Sequence, residues 1–410
     1  MSTQRVLFHM DGDAFFVGVE IAKNPKLKGL PVVTGGERGI ASALSYEAKA
    51  LGITRGMSIY KIKKDFPSVI ILSGDYASYA RYSGMMFDIV RRYADGIQEY
   101  SIDECFADLT GLDRMHKMSY REIAEHIKKE VEDELGLSVS IGLAPTKVLA
   151  KVASKWQKPN GLTVITTETI REYIDKMPIG HIWGIGPKTA DALVRNGVKT
   201  AGDFTRKNSS WIRSNLSKPY ETLWLELQGI HVMSIDTDTK ETYSSIQKTR
   251  TFTTPTSDSA FLLSELSKHL ENACIKARHY NLVPRKLSFF LKSTDFKFST
   301  YTITLTEPTN TPQLLMSQIK NNFDHIYNPL ILYRTSGVTL ADLKQESAIQ
   351  SDLFGTQHIV ETYKKIYTEV DSINEKYGRH TIHLASTHAS LMNDTEGTDM
   401  DDIDRDLLFL

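Results

Sequence analysis

Three acids raise the first chemical question. The stretch "RVLFHMDGDAFFVGVEIA" carries Asp11 at the end of an apolar run, and "YSIDECFADL" sets Asp103 beside Glu104 among aromatic and aliphatic residues. Side chains alternate faces along a strand, so a regular half-buried strand would turn one acid of the pair toward the core, where an unpaired carboxylate is costly. Either a bend exposes both acids to water, or something positive stands against them. Three carboxylates brought together repel one another unless divalent cations neutralise them, and hard oxygen ligands suit Mg²⁺. Such a set serves two-metal phosphoryl or nucleotidyl transfer, with one ion activating a hydroxyl and both bracing the phosphate. Spacing alone does not bring the three together, and Asp13 could stand in as a partner.

Two further patterns point to phosphate. In "GIGPKTADALVRNG" a glycine pair opens a helix whose Ala190 and Leu193 are spaced for close packing. This is the pattern of a helix-hairpin-helix, in which the N–H groups of Gly184 and Gly186 can face a DNA phosphate without reading bases. A plain packing corner is the alternative. Lys147, Lys151 and Lys155 recur every fourth residue and line one helix face, for which a solvated face is the default. Lys158 differs, because the Pro159-Asn160-Gly161 turn after it fixes its direction, as a residue gripping a triphosphate requires.

The elements that must position these groups read as an α+β layer, with helices packed on one face of a mainly antiparallel sheet. "RVLFHM", "LKGLPVVTGG" and "LSVSIGLA" are strands; "YASYARYSGMMFDIVRR" and "SYREIAEHIKKEVEDELG" have helical spacing, the second stopping at Gly136. Residues 168–230 form short helices separated by glycines. From about Tyr243 the chain is β-rich, with a helix in "AFLLSELSKHLENACIKARHY" and another from Thr311 to Tyr327. The hinge falls in the polar "IDTDTKETYSS", and "IVETYKKIYTEVDSINEKYG" reads as a helix without an evident task.

Composition narrows the class. The chain of 410 residues has a net charge of −1 and the apolar content of a globular protein. It shows neither an eighteen-residue apolar run nor the order of a secretory signal, so a soluble, cytoplasmic protein without membrane contact is expected. Cys105 and Cys274 lack metal-ligand spacing. From Thr239 to Ala341 there are twelve Lys and Arg against seven Asp and Glu, whereas the last eighteen residues hold seven acids and one Arg. A basic module, a candidate nucleic-acid surface, is followed by an acidic tail.

With these residues in view, the chain resembles the Y-family, or translesion, DNA polymerases, nearest the bacterial polymerase IV-like branch. "MDGDAFFVGVE", "SYEAKALGI", "YSIDECFADL", "APTKVLAKVASKWQKPNG" and "WGIGPKTADAL" occur in the family's order and spacing, and the resemblance spans roughly residues 5 to 345. It implies an α+β right-hand architecture: palm at 1–25 and 75–165, fingers at 26–74, a helical thumb with the helix-hairpin-helix at 166–232, and an α/β little finger at 242–341. Residues 342–410 would be a clamp-binding and acidic tail, partly disordered. The implied activity is template-directed, error-prone translesion synthesis by two-metal nucleotidyl transfer. With these four domains filling the chain as far as the tail, no proofreading exonuclease is expected. A catalytically silent DNA-damage scaffold, a two-metal cyclase or nuclease, and a polymerase V-like subunit needing accessory proteins are the alternatives.

Carried over by residue, the resemblance makes Asp11, Asp103 and Glu104 the catalytic ligands of two Mg²⁺ ions, with the Gly12 carbonyl a further ligand. Phe16 matches the aromatic gate against a ribose 2′-OH, with Phe15 beside it as the alternative. Ser42, Tyr46, Lys49 and Lys158 would bind the nucleotide. Lys49 departs from the branch's usual arginine and loses its planar fork, and Gly12 is smaller than the usual aromatic. Primer-template DNA would be held by Gly184, Gly186 and Lys188 and by Lys248, Arg250, Lys292 and Lys297. Gln350, Leu353 and Phe354 of "QSDLF" resemble a sliding-clamp peptide, and the terminal "DLLFL" could be a second. A monomer is expected.

Overall fold

The structure, a computed structural model, describes residues 5–237, 243–348 and 357–392. The peptide with Gln350, Leu353 and Phe354, the acidic tail and the terminal "DLLFL" lie outside the described residues. The chain divides into two compact units between Asp238 and Thr239, within the polar stretch read as a hinge.

Among its described residues the first unit has eight strands: β1 Leu7–Gly12, β2 Val32–Thr34, β3 Ala43–Leu44, β4 Ile70–Leu72, β5 Ile97–Glu99, β6 Glu104–Asp108, β7 Val139–Ala144 and β8 Leu162–Val164. Five of them form a sheet in the order β5-β6-β1-β7-β8, antiparallel except for the β7–β8 pair. All six residues of β1 are buried, as expected of a strand between two others with both faces covered. The helix Lys147–Trp156 lies so close to β7 that a Cβ on Gly142 would meet Ala150 O at 2.1 Å. The helix Tyr120–Leu135 begins at a Ser119–Glu122 capping box and stops at Gly136, whose φ of 66° suits glycine. A smaller sheet, β3-β2-β4, packs Val33, Leu44, Ile53 and Ile62 into a core of its own.

After β8 the chain runs through short helices, among them Pro187–Arg195 and Lys218–Glu226. Leu193, Phe204 and Leu223 from this region share one core with Leu7 and Leu149. Glu226, wholly buried, seals the joint: its carboxylate accepts the Val232 and Met233 N–H groups at 2.7 and 2.8 Å and that of Val148 at 3.3 Å.

The second unit is an antiparallel sheet in the order β11-β10-β12-β9, from β9 Ser245–Thr256, β10 Leu282–Ser293, β11 Phe298–Thr304 and β12 Tyr333–Gln345. Helices Ser259–His279 and Pro312–Asn322 share its core through Leu266, Leu270 and Ile319. The helix of unassigned task is present at Gln357–Tyr377 and is followed by a short helix, His388–Met392. Both dock on Ser259–His279: Arg278 clasps Asp371 with bonds of 2.6 and 2.7 Å, and Ser390 Oγ donates to Glu265 at 2.6 Å. This docking explains why so many polar residues of Ser259–His279 are buried.

Candidate active site

The acid pair does not lie within one continuous strand. Tyr100 and Ser101 both donate their N–H to Glu104 O, at 2.9 and 3.1 Å, which folds residues 100–103 into the turn of the β5–β6 hairpin. Asp103 therefore sits on the turn and Glu104 opens β6, so the bend spares either acid from pointing into the core. Glu104 pairs with Asp11 across β6 and β1, and the Gly12 N–H donates to Asp103 O at 2.8 Å. All three acids thus meet at one end of the sheet.

Both positive charges the acids need are present. Lys158 binds the Asp11 carboxylate, and Lys151 Nζ lies 2.5 Å from Glu104 Oε2. Lys147 and Lys151, read as members of a solvated face, are buried: Lys147 bonds Gln98 Oε1 at 2.6 Å and Ser234 O at 3.1 Å, and only Lys155 of the three is exposed. The reason is the sheet beneath that helix, which helix periodicity alone does not reveal. Lys151 is further enclosed by aromatic rings, 4.3 Å from Tyr100 and 5.1 Å from Trp183, whose Nε1–H donates to Tyr100 at 2.9 Å.

Burial pushes Asp11 up to about 7, with Glu104 and Asp103 adding to the rise and Lys158 opposing it. Asp103 is likewise raised by burial, against a bond of 2.7 Å from Ser101 Oγ. Burial acts upward on Glu104 too, but His9 and Lys151 outweigh it and hold Glu104 below the usual carboxylate range. His9 shares the Asp11 face of β1 by strand alternation, donates to or accepts from Ser154 Oγ at 2.7 Å, and is pushed down to about 4 by burial.

Asp13 is not free to join them. Its carboxylate accepts from Ser138 at 2.8 Å, from Ser140 at 2.9 Å and from the Asn160 N–H at 2.7 Å. It anchors the Lys158–Gly161 turn. Tyr46 stands 3.5 Å from the same carboxylate, so Tyr46 and Lys158 converge there.

A cavity of about 430 Å³ opens beside the acids, lined among others by Phe16, Ser42, Lys49, Arg55, Asp103 and Glu104. Phe16 stacks on Tyr79 with centroids 4.4 Å apart and meets Tyr76 edge-on at 5.7 Å. Tyr79 is held in turn by Glu20 at 2.8 Å. Tyr76 and Tyr79, three apart on one helix face, were legible as a pair but not as the backing of this ring. Phe15 is buried and fills the space over Gly12, where a Cβ would lie 3.1 Å from its ring. Gly12 is thus a strand residue kept small by close approach, not a turn glycine.

In the hairpin, Gly184 has φ 86°, and a Cβ there would come within 3.0 Å of Leu223. Neither the Gly184 nor the Gly186 N–H finds an acceptor among the described residues, and Lys188 is exposed just inside the helix that follows.

In the second unit strand parity separates the four basic residues. Lys248 and Arg250 alternate in phase with the buried Ile246 and Phe252, so they lie on the helix-covered face, where Arg250 pairs with Glu265 at 3.3 Å. The opposite face carries Lys286 and Lys292 among Thr249, Thr302 and Thr339, in register. Lys297 is exposed at the β10–β11 turn, 3.2 Å from Asp295. Charge counting without parity had placed all four together.

The donor set fits a divalent cation in kind: three carboxylates at one sheet end, two of them raised by burial. Among the described residues, however, no three His, Cys, Asp or Glu side chains close around a common point, because the two lysines hold two of the acids. No helix of the described residues is long and apolar enough to cross a membrane.

Residues 10–155 match the impB/mucB/samB family, and residues 243–353 match the C-terminal domain of that family. The DNA polymerase IV of Desulfatibacillum aliphaticivorans is 30% identical over 391 residues, covering 94% of this chain and 97% of that one. DNA polymerase IV 1 of Bacillus subtilis strain 168 is 29% identical over 400 residues, 96% of each. Among solved structures, a Dbh–Dpo4 Y-family DNA polymerase chimera has a TM-score of 0.68 at 24% identity, covering 82% of this chain and 99% of its own. A Dbh ternary complex gives 0.57 at 25% identity, with 82% and 99% covered. With near full-length coverage by relatives of one name, the chain belongs to the Y-family of translesion DNA polymerases, in its DNA polymerase IV group.

Proposed function

We propose that the cavity beside Asp103 and Glu104 is where this polymerase joins a deoxynucleoside triphosphate to a primer 3′-OH on template DNA. The observation that carries this reading is the meeting of Asp11, Asp103 and Glu104 at a cavity edged by Phe16 and by cations. Asp11, Asp103, Glu104 and the Gly12 carbonyl would hold two Mg²⁺ ions, which when bound lower the pKa of the hydroxyl and neutralise phosphate charge. Lys158 and Tyr46, gathered at Asp13, orient the triphosphate, with Lys49 and Ser42 on the facing wall. The Phe16 ring, backed by Tyr79, closes the space beside the sugar C2′. The unused N–H groups at Gly184 and Gly186, with Lys188, grip a DNA phosphate. In the second unit the DNA side is the open sheet face with Lys286 and Lys292, together with Lys297.

On this reading residues 1–25 and 75–165 are the palm, 26–74 the fingers, 166–232 the thumb and 242–341 the little finger. Gln350, Leu353 and Phe354 bind a sliding clamp, and the protein works as a cytoplasmic monomer. The alternatives of a silent scaffold or a nuclease are not favoured by the relatives.

The test is extension of a primer on an undamaged template and on one with an abasic site, comparing wild type with Asp103→Ala. Loss of one such carboxylate should remove several kcal/mol of transition-state stabilisation, about a thousandfold in rate, with primer-template binding retained. Extension by Asp103→Ala near the wild-type rate would remove this site from consideration.

A further inference from the structure

We infer that His9 is a positioning residue for the Glu104 carboxylate, an assignment that rests on the metal-assisted site proposed above. His9 is wholly buried, and its Nε2 has no hydrogen-bond partner among the described residues. An orphaned polar atom is rare in a protein interior and calls for an explanation. The group facing it is Glu104, whose Oε2 lies 3.9 Å away.

The elements around His9 hold it there. On β1 it stands two residues from Asp11 and opposite Phe106, which is two residues from Glu104 on β6, so the four side chains share one face of the sheet. On its other side His9 pairs with Gly142 of β7, where the lack of a side chain lets the helix Lys147–Trp156 settle against the sheet. That approach brings two residues, three apart on one helix face, into the cluster. Ser154 Oγ reaches His9 Nδ1 at 2.7 Å, and Lys151 Nζ reaches Glu104 Oε2 at 2.5 Å. The imidazole also packs on the Phe106 ring, with centroids 4.4 Å apart.

The charge of Glu104 then selects the tautomer. A bare Nε2 lone pair would be repelled by the carboxylate, whereas an N–H is drawn to it. Nε2 therefore carries the proton, and Nδ1 accepts from the Ser154 hydroxyl, whose other acceptor, Lys151 O, is more distant at 3.0 Å. At 3.9 Å the Nε2–H contact is longer than a hydrogen bond, a spacing of the kind that tightens when a site fills.

Both donors act on Oε2. Oε1 accepts no hydrogen bond among the described residues, and Glu104 lines the cavity, so Oε1 is the oxygen left for a cation. Lys151 by itself is a single point about which the carboxylate can turn. His9 adds a second contact from the strand that carries Asp11, so the two acids are set relative to one another before a cation arrives.

The experiment uses the full chain and compares wild type with His9→Phe, His9→Gln and His9→Asn. Mn²⁺ is titrated into each protein without nucleotide, the free ion being read by electron paramagnetic resonance, and primer extension in Mg²⁺ is measured in parallel. Loss of a group that orients a metal ligand costs about 10- to 100-fold in metal affinity or activity. His9→Phe, which keeps a ring against Phe106, should therefore weaken Mn²⁺ binding and lower kcat within that range, with primer-template affinity unchanged. Gln places an amide N–H near the position of Nε2 and should restore most of the Mn²⁺ affinity. Asn places its amide near Nδ1, keeps the Ser154 bond, and should behave as Phe does. Unaltered Mn²⁺ affinity in His9→Phe overturns the assignment. So does rescue by Asn but not by Gln, because His9 would then be only an anchor for Ser154. If His9→Phe fails to fold, the comparison of Gln with Asn still decides. If wild type extends no primer, the polymerase reading fails instead, and the Mn²⁺ titration still decides His9.

Discussion

Replacing Lys151 by methionine isolates the electrostatics of the acid cluster. The change removes the ammonium 2.5 Å from Glu104 while keeping a long side chain between the Tyr100 and Trp183 rings. Breaking a buried ion pair from one side costs about 3–5 kcal/mol, because the remaining charge is stranded. Glu104 keeps 15% side-chain exposure at the cavity wall, so water recovers part of that. Loss of the cation over two rings returns about 1 kcal/mol of destabilisation, for a net of about 3 kcal/mol. In a unit the length of the first one this lowers the melting temperature by about 6–12 °C. The assay is thermal unfolding of wild type and Lys151→Met, each in EDTA and in Mg²⁺. A cation bound by the acids replaces the missing ammonium, so the gap should close by more than half in Mg²⁺. Glu104 is held below its ordinary value of 4.5, so the pair's contribution is complete above that pH and is lost as pH falls below it. The gap should therefore also shrink in acid. Equal melting temperatures in EDTA, or a gap indifferent to Mg²⁺, would refute the reasoning.

Two more outcomes follow from the same geometry. Phe16→Ala should admit ribonucleotides, raising their incorporation relative to deoxynucleotides by two or more orders of magnitude, as primer extension with single nucleotides would show; unchanged sugar discrimination would disprove the gate at Phe16, since Phe15 is buried over Gly12. Alanine at both Leu353 and Phe354 should abolish clamp-stimulated synthesis on long primed templates while activity on short primers persists, and surviving stimulation would move the clamp contact elsewhere.

Much of this protein was written in local pattern. The capping box at Ser119 and the stop at Gly136 place a helix through short-range bonds alone, and Gly184 marks the hairpin because its φ of 86° suits few other residues. The order of motifs carried the family resemblance, and the roles expected of Asp11, Asp103, Glu104, Phe16 and Lys158 came from that resemblance; the pairing of Asp11 with Glu104 across two strands is a matter of tertiary structure. Strand parity, also local, puts Lys248 and Arg250 on the covered face of β9.

What neighbouring elements decide could not be read so. Lys151 has the spacing of a solvated lysine and becomes the partner of Glu104 only because β6 and the Trp183 loop close over it. Asp13 differs from Asp11 by a turn that returns from residue 160 to use up its oxygens. The sequence by itself determined which residue types stand where along each element. The tertiary structure decided which charges are spent on one another, because ion pairing depends on distances between segments 47 and 147 residues apart in the chain.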